Sequence, residues 1–174
     1  MAILEIKKYP DRILKEKTTI VDNIDGALQR LINDMTETMH SVRGIGLAAN
    51  QVGVLKRLCV VDTSIREEKS PLIVLINPVI IGREGKEEAE EGCLSLPGYL
   101  QIIKRSAKVV VKALDREGKP LEIEAEGLLA RVFQHEIDHL DGLLIIDRIS
   151  PIKREFFKRR YKKSIKAPIS SSGN

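Results

Sequence analysis

The segment His135-Glu136-Ile137-Asp138-His139 constrains this chain more than any other, because it sets two imidazoles four residues apart within an apolar stretch. On a helix that spacing projects both rings from one face, about 6 Å apart along the axis, so one cation can meet both. Glu136, beside the first ring, is then within reach of a water on the ion and can take its proton. A catalytic ion usually takes three protein ligands and keeps one position for water, so a third ligand must come from elsewhere in the chain. The competing reading is a helix whose histidines are half-buried and merely hydrogen-bonded.

Two residues are candidates for that third ligand. Glu155 lies downstream, but Ser150-Pro151 breaks the chain before it and its surroundings are overwhelmingly basic. Cys93, in Glu91-Gly92-Cys93-Leu94-Ser95, occupies a turn flanked by Gly and Pro, where a small neighbour lets the backbone approach another element closely. Cys93 is the better ligand. Cys59, within the apolar Leu58-Cys59-Val60-Val61, reads as a buried structural thiol. A structural metal would need four protein ligands, and His40 is the remaining histidine, expected on the surface of the first helix. A third feature is Gly44-Ile45-Gly46-Leu47-Ala48-Ala49-Asn50-Gln51. It lacks the ending of a phosphate loop, and offers instead an exposed backbone edge for an extended peptide, with the Gln51 amide as a hydrogen-bond donor.

Together, GIGLAANQ (44–51), EGCLS (91–95) and QHEIDH (134–139) resemble the three signature motifs of the peptide deformylases of the bacterial type. The resemblance implies an iron-dependent metallohydrolase that removes the formyl group from the N-terminal formylmethionine of nascent polypeptides. It implies Cys93, His135 and His139 as metal ligands, Glu136 as general base and acid, and Gln51 with the backbone N–H of Leu94 as oxyanion donors. Fe(II) is the ion so implied, with Zn(II), Ni(II) or Co(II) as substitutes; thiolate and imidazole donors alone would suggest zinc. The substrate is expected against Gly44, Ile45, Gly46, Glu91, Gly92, Leu128 and Val132, with Ile45, Leu128 and Val132 walling a methionine pocket. Glu91 is also expected to pair with Arg105 and brace the cysteine loop. Some relatives carry an arginine soon after the second motif, where this chain has Leu100.

The rest of the chain predicts an α+β fold: mostly antiparallel or mixed sheets around a central HExxH helix, with an N-terminal helix and a basic C-terminal helix. Apolar residues at 28, 31, 32, 35, 39 and 42 recur at steps of three and four, with Asn23 or Asp25 as cap and Gly44 as stop. Residues 57–62, 72–81, 99–104, 107–115 and 121–126 read as strands, with a hairpin loop at 115–120. A second helix is expected over 128–141, ended by Gly142, and a third over 152–166, after Ser150 and Pro151. At 174 residues the chain suits one catalytic domain, 1–174, with a flexible tail at 167–174.

Charge is unevenly distributed. Between residues 153 and 166 eight Lys or Arg face a single acid, Glu155, although the formal net charge of the whole chain is only +4. The body is therefore mildly acidic, and the basic helix suggests a polyanionic partner, which the resemblance implies is the ribosome near the nascent-chain exit. The alternative is an ordinary amphipathic helix packing Phe157, Tyr161 and Ile165 on the body. With 3% aromatic residues and no Trp, base-stacking recognition of single-stranded RNA is not indicated, and no DNA partner is expected. The absence of a membrane-length apolar run and of a secretory leader pattern predicts a cytoplasmic location, in keeping with only two cysteines.

Overall fold

The computed structural model describes residues 1–68 and 70–166; the tail expected to be flexible lies outside the described residues. Seven strands follow one another as β1 (Gly46–Ala48), β2 (Leu58–Val61), β3 (Ile73–Glu84), β4 (Glu87–Cys93), β5 (Leu96–Arg105), β6 (Lys108–Leu114) and β7 (Pro120–Glu126). Three helices are α1 (Gly26–Ser41), α2 (Gly127–Leu140) and α3 (Pro151–Lys166). Strands β1-β2-β3-β6-β7, in that order, form one sheet, and β4 pairs with β5 in a second. The fold is α+β as expected, and every pairing between these strands is antiparallel.

The continuous apolar run of β2 has a direct cause. Leu58 and Val60 pack with Leu28, Ile32, Met35 and Met39 of α1, whereas Cys59 and Val61 pack with Phe133, Ile137 and Leu140 of α2. Successive strand residues point to opposite faces, and here both faces are covered, so polar alternation is lost. A third apolar cluster, including Leu14, Leu96, Ile103, Ile145 and Phe157, fills the space beneath the β4–β5 hairpin. Helix α2 is thus enclosed on more than one side, and its buried residues include the polar Arg131, Gln134, Glu136, Asp138 and His139. Cys59 is fully buried, and both cysteines are free thiols.

Helix ends follow local chemistry, with one departure from expectation. Asp25 caps α1 by accepting from the Leu28 N–H at 2.9 Å. The left-handed residue that stops α1 is Arg43, at φ 54°, rather than Gly44. The N–H of Arg43 donates to the His40 carbonyl and that of Gly44 to the Met39 carbonyl, a Schellman turn placed one residue earlier than the glycine suggested. Gly44 is needed for closeness instead: a Cβ there would come within 3.1 Å of Leu94 Cδ1. At the end of α2 the expectation holds, since Gly142 takes φ 77° and Leu143 N–H reaches the Asp138 carbonyl at 2.8 Å. Two strands escaped the sequence reading. β4 is Glu-rich and half-exposed, and β1 has three residues.

Gly142 also abuts the Lys15 backbone so closely that a Cβ would overlap it. Replacing Gly142 with Ala should therefore destabilise the protein by about 1–3 kcal/mol, read as a lower midpoint in urea denaturation. An unchanged midpoint would show that the turn relaxes freely.

Candidate metal centre and cleft

The bulge in the β4–β5 hairpin brings the distant thiol to the helix. Along β4 the register runs evenly until Gly92 opposes Leu100, and then Cys93 opposes Leu96, so the chain at 97–99 is looped out of the ladder. Such an irregularity bends a strand and re-aims a side chain. Cys93 Sγ lies 3.2 Å from His139 Nε2, which in turn lies 3.1 Å from His135 Nε2. The three donor atoms are all within 4.8 Å of one another. Cys93 is thus the last residue of β4, directly before the turn at 94–95, rather than within the turn the sequence suggested. Glu155 is elsewhere, exposed on α3 and 3.5 Å from Arg159, and His40 bonds Asp62 at 2.8 Å.

The donor set fits a divalent ion on its own chemistry. Glu91 accepts from His135 Nδ1–H at 3.0 Å, which holds the ring with Nε2 facing the other two donors, where a bound ion would take the place of the Nε2 proton. For metal–nitrogen bonds of about 2.1 Å, a tetrahedron has edges of about 3.4 Å, close to the separations found between these atoms. Burial, with the nearby charges of His135 and Arg105, lowers the pKa of His139 well below its ordinary value, favouring the neutral imidazole that a metal needs.

Behind His135 stands a buried network of charges. Glu91 Oε1 accepts from Arg105 Nε at 2.5 Å and Arg131 Nη1 at 2.8 Å, and Glu91 Oε2 accepts from Arg105 Nη2 at 2.9 Å besides His135. Arg105 Nη1 continues to Asp138 at 2.8 Å, and Asp138 is also held by Arg148. Burial alone would raise the Glu91 pKa, but hydrogen bonds from His135 and Arg105 and the Arg105 charge outweigh it, holding the carboxyl at about 2. The expected Glu91–Arg105 brace is present. All four lone-pair positions of the Glu91 carboxylate are engaged within the network, and the residue also borders the cleft where it is expected to meet the substrate. Arg131, Asp138 and Arg148 were missed. A signal existed: Arg131, His135 and Asp138 fall at helical spacing on one face, and two full charges interrupt an apolar helix there.

Glu136 faces the cleft from the same helix. Its carboxyl packs so closely against β1 that a Cβ on Gly46 would overlap it. Burial pushes its pKa up to about 7, against the pull of His135 and Arg105, and Oε2 finds no protein partner among the described residues. Gln51 is locked by accepting the Ala48 N–H at 2.9 Å, so its amide N–H group points to Ser95 Oγ at 3.2 Å and Cys93 Sγ at 3.8 Å. The cleft containing these groups has a volume of about 730 Å³. Gly44, Ile45, Gly46 and Leu94 line it from one direction, and Gly92, Leu128 and Val132 from others, so the residues expected at the substrate all border one space.

Known proteins share this architecture and sequence. The profile of the polypeptide deformylase family matches residues 3–155. The chain belongs to the polypeptide deformylase family. A peptide deformylase of Thermodesulfovibrio yellowstonii is 64% identical over 162 residues, covering 93% of this chain and 98% of the relative. One from Syntrophobacter fumaroxidans is 57% identical over 166 residues, covering 95% and 98%. Among solved structures, a Legionella pneumophila peptide deformylase superposes with a TM-score of 0.86 at 48% identity, covering 96% of this chain and 100% of that one. A deformylase of Synechococcus elongatus in complex with actinonin gives a TM-score of 0.85 at 41% identity, covering 92% and 88%. Membership of this metal-dependent deformylase family makes the chain a hydrolase.

Removing the partner of His135 tests the network. Glu91→Gln should weaken metal affinity by roughly 10- to 100-fold in a competition titration with a chromophoric chelator. In the metal-free protein Glu91 has a folded pKa of about 2 against 4.5 for the free group, so its stabilisation is present above about pH 4.5 and is lost as pH falls towards 2. The variant should show a shallower loss of stability over that acid range; a loss as steep as the parent's would assign it to other carboxylates.

Proposed function

We propose that this chain removes the N-formyl group from the N-terminal formylmethionine of nascent polypeptides, releasing formate, with residues 1–174 acting as one catalytic domain. The observation that carries the reading is the convergence of Cys93 Sγ and the two Nε2 atoms beside a buried, partnerless glutamate oxygen. Cys93, His135 and His139 would hold one divalent ion, Fe(II) in the native protein by family resemblance, with Zn(II), Ni(II) or Co(II) as substitutes. When bound, the ion supplies Lewis acidity, making water a competent nucleophile near neutral pH.

The protein's own groups account for the remaining work. Glu136 takes the proton of the attacking water, a role suited to a carboxyl whose pKa burial has raised to about 7. Charge developing on the formyl oxygen is met by the Gln51 amide and the Leu94 backbone N–H, each such fixed donor being worth roughly 3 kcal/mol in the transition state. Glu136 then returns its proton to the departing amine. Ile45, Leu128 and Val132 support an apolar pocket for the methionine side chain. Gly44, Gly46 and Gly92 let backbone, rather than side chains, border the peptide.

The cytoplasm, where nascent chains emerge, is the proposed site of action; no helix among the described residues is long and apolar enough to cross a membrane. Ribosomal RNA near the exit is the proposed partner of α3. Phe157 and Tyr161 turn inward while Lys158, Arg159, Arg160, Lys162 and Lys163 are exposed, which leaves a basic face for contact.

Formate release from a formyl-Met peptide, with and without chelator, tests the activity. Glu136→Gln should retain metal yet lose at least about 100-fold in kcat, whereas Cys93→Ala should lose the metal itself. A Glu136→Gln variant with near-normal kcat would refute the assigned proton transfers. Anaerobic purification with elemental analysis and activity per metal tests the ion, and full activity with zinc alone would overturn Fe(II). For the partner, exchanging the five exposed basic residues for Gln should weaken ribosome co-sedimentation and reduce its dependence on salt. Unchanged co-sedimentation would remove the ribosome from the proposal.

A further inference from the structure

The outer part of the cleft has two unlike walls. Arg43 and Arg66 line it, both are exposed, and neither guanidinium enters an ion pair among the described residues. Arg43 springs from the left-handed position that ends α1. Arg66 springs from a turn closed by two bonds of 2.8 Å, in which the N–H groups of Arg66 and Glu67 donate to the Thr63 carbonyl. Their bases are tied together: Asp62 N–H donates to the Ile45 carbonyl at 3.0 Å, and Asp62 Oδ2 bonds His40 Nε2 at 2.8 Å. The two cations therefore belong to one braced wall. The β4–β5 hairpin supplies different chemistry, with Pro97, Leu100 at 59% exposure, and the exposed acid Glu90.

Charges deeper in the cleft compensate one another, because Glu91 is bonded to Arg131 and Arg105. At the mouth they do not. Among the described residues that line the cleft, Lys8, Arg43 and Arg66 are exposed cations and Glu90 is the exposed acid, so the lining of the entrance has a positive balance although the body of the chain is acidic. A concave, low-dielectric entrance concentrates such a field on whatever passes through it.

We propose that Arg43 and Arg66 are specificity-determining residues that favour formylated peptides carrying Asp or Glu within the first few residues after formylmethionine. The inference rests on the deformylase reading of the site. With the formyl group at the inner end of the cleft, beside Cys93, His135 and His139, the following residues must leave through the mouth. In an extended chain, advancing about 3.3 Å per residue, side chains point alternately to opposite sides. Those on one side meet the guanidiniums, and those on the other meet Leu100.

The test is a set of formylated tetrapeptides, neutral except for Glu, Gln or Lys at the second, third or fourth position, assayed with the metal-loaded enzyme at low and high salt. At one or more positions kcat/KM for Glu should exceed that for isosteric Gln by roughly 3- to 10-fold, as expected for two partly screened charge pairs, with Lys below Gln. The Glu/Gln ratio should shrink towards one as ionic strength rises to about 0.5 M. It should fall in Arg66→Gln and in Arg43→Asn, the latter chosen because Asn tolerates positive φ, and reach one in the double variant. A ratio of one at every position in the parent enzyme, or a ratio preserved in the double variant, overturns the proposal while leaving the deformylase reading intact. Failure to release formate from the neutral peptides as well would overturn that reading instead.

Discussion

The fourfold engagement of the Glu91 carboxylate is the constraint on which the site depends. It joins three elements that share no local sequence: β4 through Glu91 itself, β5 through Arg105, and α2 through Arg131 and His135. An isolated buried carboxylate would be strongly disfavoured, and two guanidiniums with an imidazole N–H remove that penalty by filling each lone-pair position. The same bonds fix the tautomer of His135 and hold the β4 hairpin against the helix. Asp138 repeats the logic from the other side of Arg105, so the helix face bearing the histidines is backed by alternating charges rather than by oil.

Close approach is the second requirement. Glu136 is a buried acid within a helix, and it fits only because β1 presents Gly46 to it without a side chain. Gln51, a few residues on, is oriented by the backbone of β1 at Ala48, so the strand that makes room for the acid also aims the amide. The five-stranded sheet carries these groups on its β1 edge and seals them from behind with α1.

Much of this was legible in the sequence, for reasons that can be stated residue by residue. Helical periodicity from Leu28 to Met39 marked α1, and the run Leu58 to Val61 marked a strand because two helices cover its faces. Motif spacing brought out Cys93, His135 and His139, which converge. What escaped were features with weak one-dimensional signatures. β4 reads Glu-Glu-Ala-Glu-Glu-Gly-Cys, a composition unlike a strand, and it pairs because β5 lies opposite while its acids face solvent or the buried network. Arg43 took the left-handed position that a neighbouring glycine was expected to fill, since Gly44 is required for packing against Leu94 and Met39. Charges such as Arg131 and Asp138 look like surface residues until a second sheet closes over the helix.

The aromatic contacts beneath α3 have a mechanical meaning. Phe157 packs against both Tyr9 and Tyr99, with ring centroids 5.4 and 4.5 Å away, and Tyr161 reaches back to the Tyr9 carbonyl. Tyr99 belongs to the looped-out stretch of the hairpin that carries Cys93 at its other end. The cationic helix is accordingly clamped rather than tethered, and its bearing relative to the cleft is built in. A large anionic body that grips those lysines and arginines would take hold of the enzyme in one orientation, with the mouth of the cleft facing a direction set by four interlocked rings.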